Sequence, residues 1–245
     1  MNLQFNKSII YKSKTIFCIL ILFQCSFLMA NACETDTVYS EVWELNSLDK
    51  IGGHPVQVFG NPQIVNTEHG KAIKFNGIND KLLVDNNPIG DAKEFTVEVI
   101  FKPDPAFDIS NEPRFIHIQD PDDSLSKRVL IELRLTRTKE WYLDGFMLTD
   151  AGEKTLVNKT LIHPAGEWVH AAVTYKDNIF KTFVNGVEEL SGNVYFTEKL
   201  INKTGKTSIG GRMDNRNYYC GLIKSLKITR SALEPKDFTR LKPGN

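Results

Sequence analysis

Two polar side chains, His117 and Gln119, alternate with large apolar residues in the stretch RFIHIQD, residues 114–120. Successive side chains of a β-strand point to opposite faces, so these two share one face and the isoleucines beside them share the other. An imidazole and a carboxamide can each donate and accept hydrogen bonds. Lining a groove, they would bind hydroxyl groups or transfer protons, whereas on an open sheet face they would only contact water.

The same alternation predicts more polar side chains on that face, because Ile131 and Leu133 alternate with charged residues in the segment 128–135. If the strands are neighbours in one sheet, eight residues share one surface, namely Glu98, His117, Gln119, Glu132, Arg134, Tyr142, Asp144 and His170. The arginine offers a fork of donors for a carboxylate or sulfate, the tyrosine a flat ring, and the other groups partners for hydroxyls. This set favours saccharide recognition. The alternative is a solvated sheet face with cross-strand ion pairs.

β-Strands are predicted along most of the chain after residue 36, since alternating, β-branched and aromatic segments are separated by Gly, Pro, Asn and Asp. The predicted strands cover residues 37–45, 71–77, 81–84, 94–103, 114–118, 128–135, 140–148, 168–175, 179–186, 206–211 and 221–229. The only helical pattern is a short one within 231–241, which Ser231 could cap. An all-β, two-sheet antiparallel sandwich in one domain follows from this spacing.

The first 32 residues have the features of an export signal. Three lysines precede an apolar run over residues 16–29, and Ala-Asn-Ala follows at residues 30–32, where a signal peptidase requires small residues. A membrane anchor is the alternative, but the run is shorter than the ~20 apolar residues that a spanning helix needs. We therefore predict a signal peptide over 1–32 and a mature domain over 33–245 that has no membrane span and is secreted or at the cell surface.

Cleavage after residue 32 leaves Cys33 and Cys220 as the cysteines of the mature chain. In an oxidising compartment these two thiols could form a disulfide. Cys33 would also be the first mature residue, which carries the lipid in a bacterial lipoprotein, although the usual leucine before the cleavage site is missing. Both outcomes stay open, and a lipidated Cys33 would leave Cys220 as a free thiol.

Charge and composition exclude some function classes. The 245 residues include 30 Lys and Arg against 30 Asp and Glu, and removal of the signal takes away three lysines and no acid. No basic patch therefore predicts a nucleic-acid ligand. Neither a Gly-x-Ser-x-Gly motif, nor a phosphate-binding glycine loop, nor a Cys/His cluster with zinc spacing occurs.

Four segments occur in an order that resembles a known family. They are GKAIKFNGINDKLLV (70–84), FTVEVIFKPD (95–104), GEWVHAAVTYKDNIFKTFVNGVEE (166–189) and GLIKSLKITRSALEPKDF (221–238). Together they resemble the laminin-G-like, concanavalin A-like jelly-roll domains, and the resemblance spans most of the mature chain. It implies a jelly-roll sandwich with a sugar-binding groove on one bowed sheet. The family also includes adhesion domains, glycoside hydrolases and polysaccharide lyases, so the fold alone leaves the function open.

Non-catalytic binding of a polysaccharide or other glycan is the function that we favour. An enzyme acting on an acidic polysaccharide is the alternative, with His117 as base, Arg134 as the carboxylate-neutralising group and Tyr142 as acid in a lyase, or with Glu98 and Glu132 as paired carboxylates in a hydrolase. The resemblance to lyases is in residue type only, because their signature strings are absent. Protein–protein adhesion outside the cell is a second alternative.

Two loops are further candidates for binding. Asn79 and Asp80 are candidate ligands of a structural calcium ion, because many relatives hold one at the rim and hard cations prefer carboxylate and carbonyl oxygens; the alternative is that they only form a turn. The polar loop 210–221 contains Arg212, Arg216 and Tyr218 between two strands and predicts a second recognition surface. Tyr219 is expected to pack inward.

Overall fold

β-Strands form the regular structure of the residues that the computed structural model describes, 38–106, 112–123 and 125–241. They are β1 (Ser40–Glu44), β2 (Lys50–Ile51), β3 (His54–Phe59), β4 (Gln63–Thr67), β5 (Gly70–Asn76), β6 (Lys81–Val84), β7 (Phe95–Pro103), β8 (Arg114–Gln119), β9 (Arg128–Leu135), β10 (Glu140–Leu148), β11 (Glu153–Val157), β12 (His163–Pro164), β13 (Val169–Lys176), β14 (Ile179–Val184), β15 (Val187–Asn193), β16 (Lys206–Ile209) and β17 (Cys220–Thr229). The predicted signal peptide and Cys33 lie outside the described residues.

Two antiparallel sheets contain these strands. The first sheet has the order β15-β14-β13-β7-β17-β5-β4, and β1 pairs with the C-terminal half of β17. The second has the order β11-β10-β9-β8-β16-β6-β3-β2, with β12 paired to β10. Both orders cross between segments that are distant in sequence, as in a jelly roll. The predicted all-β sandwich is therefore confirmed.

The core lies between the sheets and is rich in aromatic side chains. Phe101 from the first sheet stacks on Phe115 from the second, with ring centroids 4.6 Å apart. Trp141 meets Phe101 edge-on at 5.3 Å, and the ring of Tyr219 lies 5.8 Å from that of Phe115. All four are fully buried. Tyr219 thus packs inward as expected, and these rings join the two sheets.

All eleven predicted strands overlap observed ones, but six strands were missed: β2, β3, β4, β11, β12 and β15. Several of them lie at sheet edges, where both faces are partly exposed and the apolar alternation is weak. The turn between β14 and β15 is built by Asn185 and Gly186, whose φ angles of 50° and 80° suit a two-residue hairpin.

The C-terminal segment lies across the outer face of the first sheet. Its only helical part is a single 3-10 turn, Pro235–Asp237, which Ser231 does not cap. Thr96 of β7 binds this segment twice, since its hydroxyl donates to the Ser231 carbonyl at 2.8 Å and accepts the Leu233 N–H at 2.8 Å. Phe238 packs on Phe183 in a separate small cluster. No helix among the described residues is long and apolar enough to cross a membrane.

Candidate functional site

The outer face of the second sheet carries six of the eight predicted site residues. Gln119 and His117 lie on β8, Glu132 and Arg134 on β9, and Tyr142 and Asp144 on β10. Ile116, Ile118, Ile131 and Leu133 point into the core, as the alternation predicted. Register places Asp144 directly opposite Glu132, and Tyr142 opposite Arg134.

Glu98 and His170 do not belong to this surface, so the prediction that all eight share one face is wrong. Both lie in the first sheet, because β7 pairs with β13 and β17 rather than with β8. The core, about 10 Å thick in such sandwiches, separates them from the other six. Glu98 and Glu132 therefore cannot flank one glycosidic bond, and the pair proposed for a hydrolase is not assembled.

Glu98 and His170 instead hold the C-terminal segment. The imidazole Nε2–H of His170 donates to Glu98 Oε1 at 3.0 Å, and the backbone N–H of Thr239 donates to the same oxygen at 2.5 Å. Lys227 Nζ lies 3.1 Å from Oε2. Burial alone would raise the pKa of Glu98, but these partners together lower it. The role of this pair in the fold is thus structural.

A β-bulge brings an unpredicted arginine to the outer face of the second sheet. The pairing of β8 with β9 shifts by one residue between Arg114 and Ile116, so Arg114 lies opposite Glu132 although simple alternation would turn it inward. Its Nε lies 3.1 Å from Glu132 Oε2. Arg114 is 6% exposed and Glu132 2%. They form a buried ion pair under the surface.

Arg134 forms the second ion pair of this face. Its guanidinium binds Asp144 Oδ2 through Nε at 2.7 Å and Nη2 at 2.6 Å, and it also contacts the Glu112 carboxylate. Asp144 is fully buried, and burial raises its pKa in spite of Arg134. The fork predicted to take a ligand carboxylate is therefore already occupied by carboxylates of the protein.

Glu132 has the most perturbed carboxyl of this group. Its pKa is raised to about 7, chiefly by burial; Arg114 opposes the rise and the neighbouring Asp144 contributes to it. A carboxyl with that pKa near neutral pH has the protonation behaviour of a general acid. Its 2% exposure, however, places it beneath the surface rather than in contact with solvent.

His117 is neutral and both of its ring nitrogens have partners. The backbone N–H of Met213 donates to Nδ1 at 3.1 Å, so the proton is on Nε2, which lies 2.7 Å from Gln119 Oε1 and donates to it. The pKa of His117 is lowered to about 3, chiefly by burial; the hydrogen bond to Gln119 opposes this shift, and three nearby arginines contribute to it. His117 thus orients the side chain of Gln119 and the backbone at Met213.

The loop 210–219 folds over the end of β8 and deepens this face. Lys81 holds it through the Met213 carbonyl at 3.3 Å and Asn215 Oδ1 at 2.5 Å. Between this loop and the strands lies a depression of about 340 Å³. It is lined by His117, Gln119, Pro121, Ser126, Arg128, Arg212, Met213 and Asp214. We call it the His117 depression.

The loop was predicted as a separate surface, but the structure joins it to the face with His117. Arg128 was missed although it shares the alternation of Glu132 and Arg134, which could have revealed it. Arg114 depends on the bulge, and the simple alternation gives no sign of it.

The three residues proposed for a lyase are not brought together. Tyr142 and Arg134 are opposite one another, but His117 pairs with Leu130, four residues from Arg134 along β9. Four strand residues span about 13 Å. One sugar residue at His117 would not reach the other two groups.

The side-chain oxygens of Asn79 and Asp80 already accept hydrogen bonds from neighbouring residues of the protein. Asp80 accepts the backbone N–H of Asn61 at 2.7 Å and that of Asn76 at 2.9 Å, one on each oxygen. Asn79 Oδ1 accepts from the Asn76 side chain at 2.8 Å. Among the described residues no group of three or more His, Cys, Asp or Glu could hold a metal. These contacts fit a turn rather than a cation site, and calcium stays an untested prediction.

Cys220 is a half-buried thiol with no disulfide partner among the described residues. Burial raises its pKa. The predicted partner, Cys33, lies outside the described part of the chain, so both the disulfide and the lipid anchor remain predictions.

The fold and the site together define a jelly-roll sandwich with a polar depression on one outer face. Residues 76–238 match the family model Laminin_G_3, described as the concanavalin A-like lectin/glucanases superfamily. The chain belongs to this family. No curated protein matches it in sequence.

Solved structures share the fold at low sequence identity. Domain 4 of AbnA, a GH43 extracellular arabinanase from Geobacillus stearothermophilus, in complex with arabinotriose, matches with a TM-score of 0.61 and 18% identity over 81% of this chain and 96% of that one. The binding domain of Paraclostridial Mosquitocidal Protein 1 matches with a TM-score of 0.58 and 17% identity over 82% of this chain, which spans 51% of that domain. The botulinum neurotoxin serotype D binding domain matches with a TM-score of 0.53 and 17% identity, and 49% of it is covered, against 80% of this chain.

Proposed function

We propose that this protein is an exported binding module that holds a saccharide in the His117 depression without cleaving it. The observation that carries the proposal is the depression itself, where a neutral imidazole–carboxamide pair lies beside guanidinium donors. The hydrogen bond to Gln119 Oε1 leaves the two amide N–H donors of that side chain for ligand hydroxyls. A few fixed polar groups of this kind orient a ligand in a binding pocket.

The family supports this proposal. It is described as lectin and glucanase, and a solved structure of this fold holds arabinotriose. Export is inferred from the lysines, apolar run and small residues of positions 1–32.

Binding without turnover is favoured by the state of the ionisable groups. Most glycoside hydrolases need two carboxyl groups flanking the bond. Here Glu132 and Asp144 are 2% and 0% exposed beneath arginines, and the one carboxylate that lines the depression, Asp214, is bound to Arg212 and Arg216. His117 has no free nitrogen to take a proton.

Calorimetric titration with a panel of neutral and acidic oligosaccharides tests the proposal. We expect at least one oligosaccharide to bind and to keep its chain length. Gln119→Glu should weaken this binding about fivefold, since one hydrogen-bonding group typically contributes about 1 kcal/mol. Gln119→Glu keeps the acceptor for His117. The matched control is Gln63→Glu on β4 of the other sheet, which is expected to bind as wild type.

Two results would overturn the proposal. Release of shortened or unsaturated products would establish an enzyme. Absence of affinity for every saccharide, with a protein partner captured instead, would establish adhesion.

A further inference from the structure

The His117 depression has more positive charge than its carboxylates neutralise. Two arginines line it, Arg128 and Arg212, against one carboxylate, Asp214. That carboxylate is shared, because Asp214 Oδ2 lies 3.1 Å from Arg212 Nε and 2.9 Å from Arg216 Nε. The nearby carboxyl of Glu132 does not offset this excess, because it is paired with the buried Arg114.

Arg128 is held in place without a carboxylate. Its guanidinium lies 4.9 Å from the ring centre of Phe146, and its Nη1 donates to the Ser126 carbonyl at 2.8 Å. Its Nε is enclosed and has no hydrogen-bond partner among the described residues. A ring on one side and a carbonyl on the other fix the plane of the guanidinium, so little conformational entropy is lost when it binds a ligand.

The charges around Arg128 and Arg212 also indicate an excess of positive charge in the depression. Burial lowers the pKa of both guanidiniums, and the neighbouring arginines lower it further. The acids that face them, Glu132 and Asp214, with Glu153 near Arg128, oppose this only in part. An anion placed between the arginines would relieve this repulsion.

We infer that Arg128 and Arg212 form an oxyanion subsite, which binds the carboxylate or the sulfate of an acidic saccharide while Gln119 binds a neighbouring hydroxyl. The inference rests on the proposed saccharide-binding function and names its ligand class. A guanidinium donates two parallel hydrogen bonds to either oxyanion, which a neutral sugar cannot accept with the same strength. Arg134, the arginine that the sequence suggested for this purpose, is already taken by Asp144 and Glu112.

Matched polymers test the charge requirement. Polygalacturonate is compared with its methyl ester, and dextran sulfate with dextran, so that each pair differs only in the anionic group and the two pairs distinguish carboxylate from sulfate. We expect measurable affinity for at least one anionic polymer and at least tenfold weaker binding of its neutral counterpart.

Variants test the position. Arg128→Gln and Arg212→Gln are each expected to weaken binding of the anionic polymer about tenfold, the effect of one charge-assisted hydrogen bond. Arg137→Gln is the matched control, because Arg137 is exposed in the β9–β10 turn at the other end of the strands. Arg128→Lys keeps the positive charge but not the planar fork of donors, so it separates loss of the bidentate geometry from loss of charge, and a thermal melt of each variant checks folding.

The outcomes distinguish this inference from the proposed function. Equal binding of a neutral polymer, lost in Gln119→Glu, would overturn the oxyanion subsite and leave saccharide binding intact. An equal loss in Arg137→Gln would assign the affinity to overall charge and overturn the subsite. Binding of no polymer would overturn both.

Discussion

Replacement of Glu132 by glutamine is expected to remove much of the pH dependence of stability near neutral pH. The folded Glu132 carboxyl has a pKa of about 7, against 4.5 for the ordinary carboxyl, because it is buried. Between these pH values the folded state holds one more proton than the unfolded state. Unfolding free energy then falls as pH rises, so this contribution is full below pH 4.5 and is lost by the time pH has passed about 7.

The size of the effect follows from the same two pKa values. At about 1.4 kcal/mol for each tenfold change in proton affinity, the contribution amounts to about 3.5 kcal/mol as an upper bound. The carboxamide of the Glu132→Gln variant cannot titrate, and it keeps the size of the side chain. The difference in unfolding free energy between wild type and Glu132→Gln should therefore change by up to about 2.5 kcal/mol between pH 5 and pH 8, and the wild type loses stability relative to the variant as pH rises.

Urea unfolding at pH 5, 6, 7 and 8 measures this difference. Glu167→Gln, at an exposed carboxyl without a hydrogen bond or ion pair among the described residues, is the control and should track wild type at each pH. A wild-type minus variant difference that stays constant across this range would refute the reasoning. It would mean that the ion pair with Arg114 outweighs burial and keeps Glu132 ionised throughout.

Two further experiments test the fold and the processing. Phe101→Ala removes the ring that stacks on Phe115 between the sheets, so it should lower the unfolding free energy by about 3–5 kcal/mol. Urea denaturation at one pH measures this loss, and a loss below about 1 kcal/mol would contradict the packing described. Mass spectrometry of the protein expressed from its full sequence tests the predicted export signal. We expect a chain that begins at Cys33, with the mass of a lipid if it is anchored; a chain that retains residues 1–32 would contradict the predicted cleavage.

The side-chain alternation of β9 and β10 could be predicted from sequence because it is a local property. Successive residues of a strand face opposite sides whatever the strand pairs with, so Glu132, Arg134 and Asp144 could be assigned to one face of their strands. The inward Tyr219 and the Asn185–Gly186 turn were equally accessible, since aromatic burial and positive φ angles are properties of short segments.

The assignment of strands to sheets was not local, and there the prediction failed. Glu98 has the alternation of a site residue, yet β7 pairs with β13 and β17 and places it under the C-terminal segment. The one-residue bulge before Ile116 turned Arg114 to the outer face, and alternation carries no sign of such an insertion. The partners of Arg134 were also hidden, because ion pairing depends on which charges meet across strands.

By itself, then, the sequence determined the all-β class, the family and the alternation of side chains along the regular strands, because these follow from composition, order and a period of two. Only the tertiary structure decided which strands are neighbours, and so which charges neutralise one another. It buried Glu132 and Asp144 beneath arginines and folded the loop with Arg212 and Asp214 over His117. The loop is held over His117 by a hydrogen bond from Met213, a residue nearly a hundred positions further along the chain. Such partners are brought together by the packing of two sheets on one core and not by any local pattern.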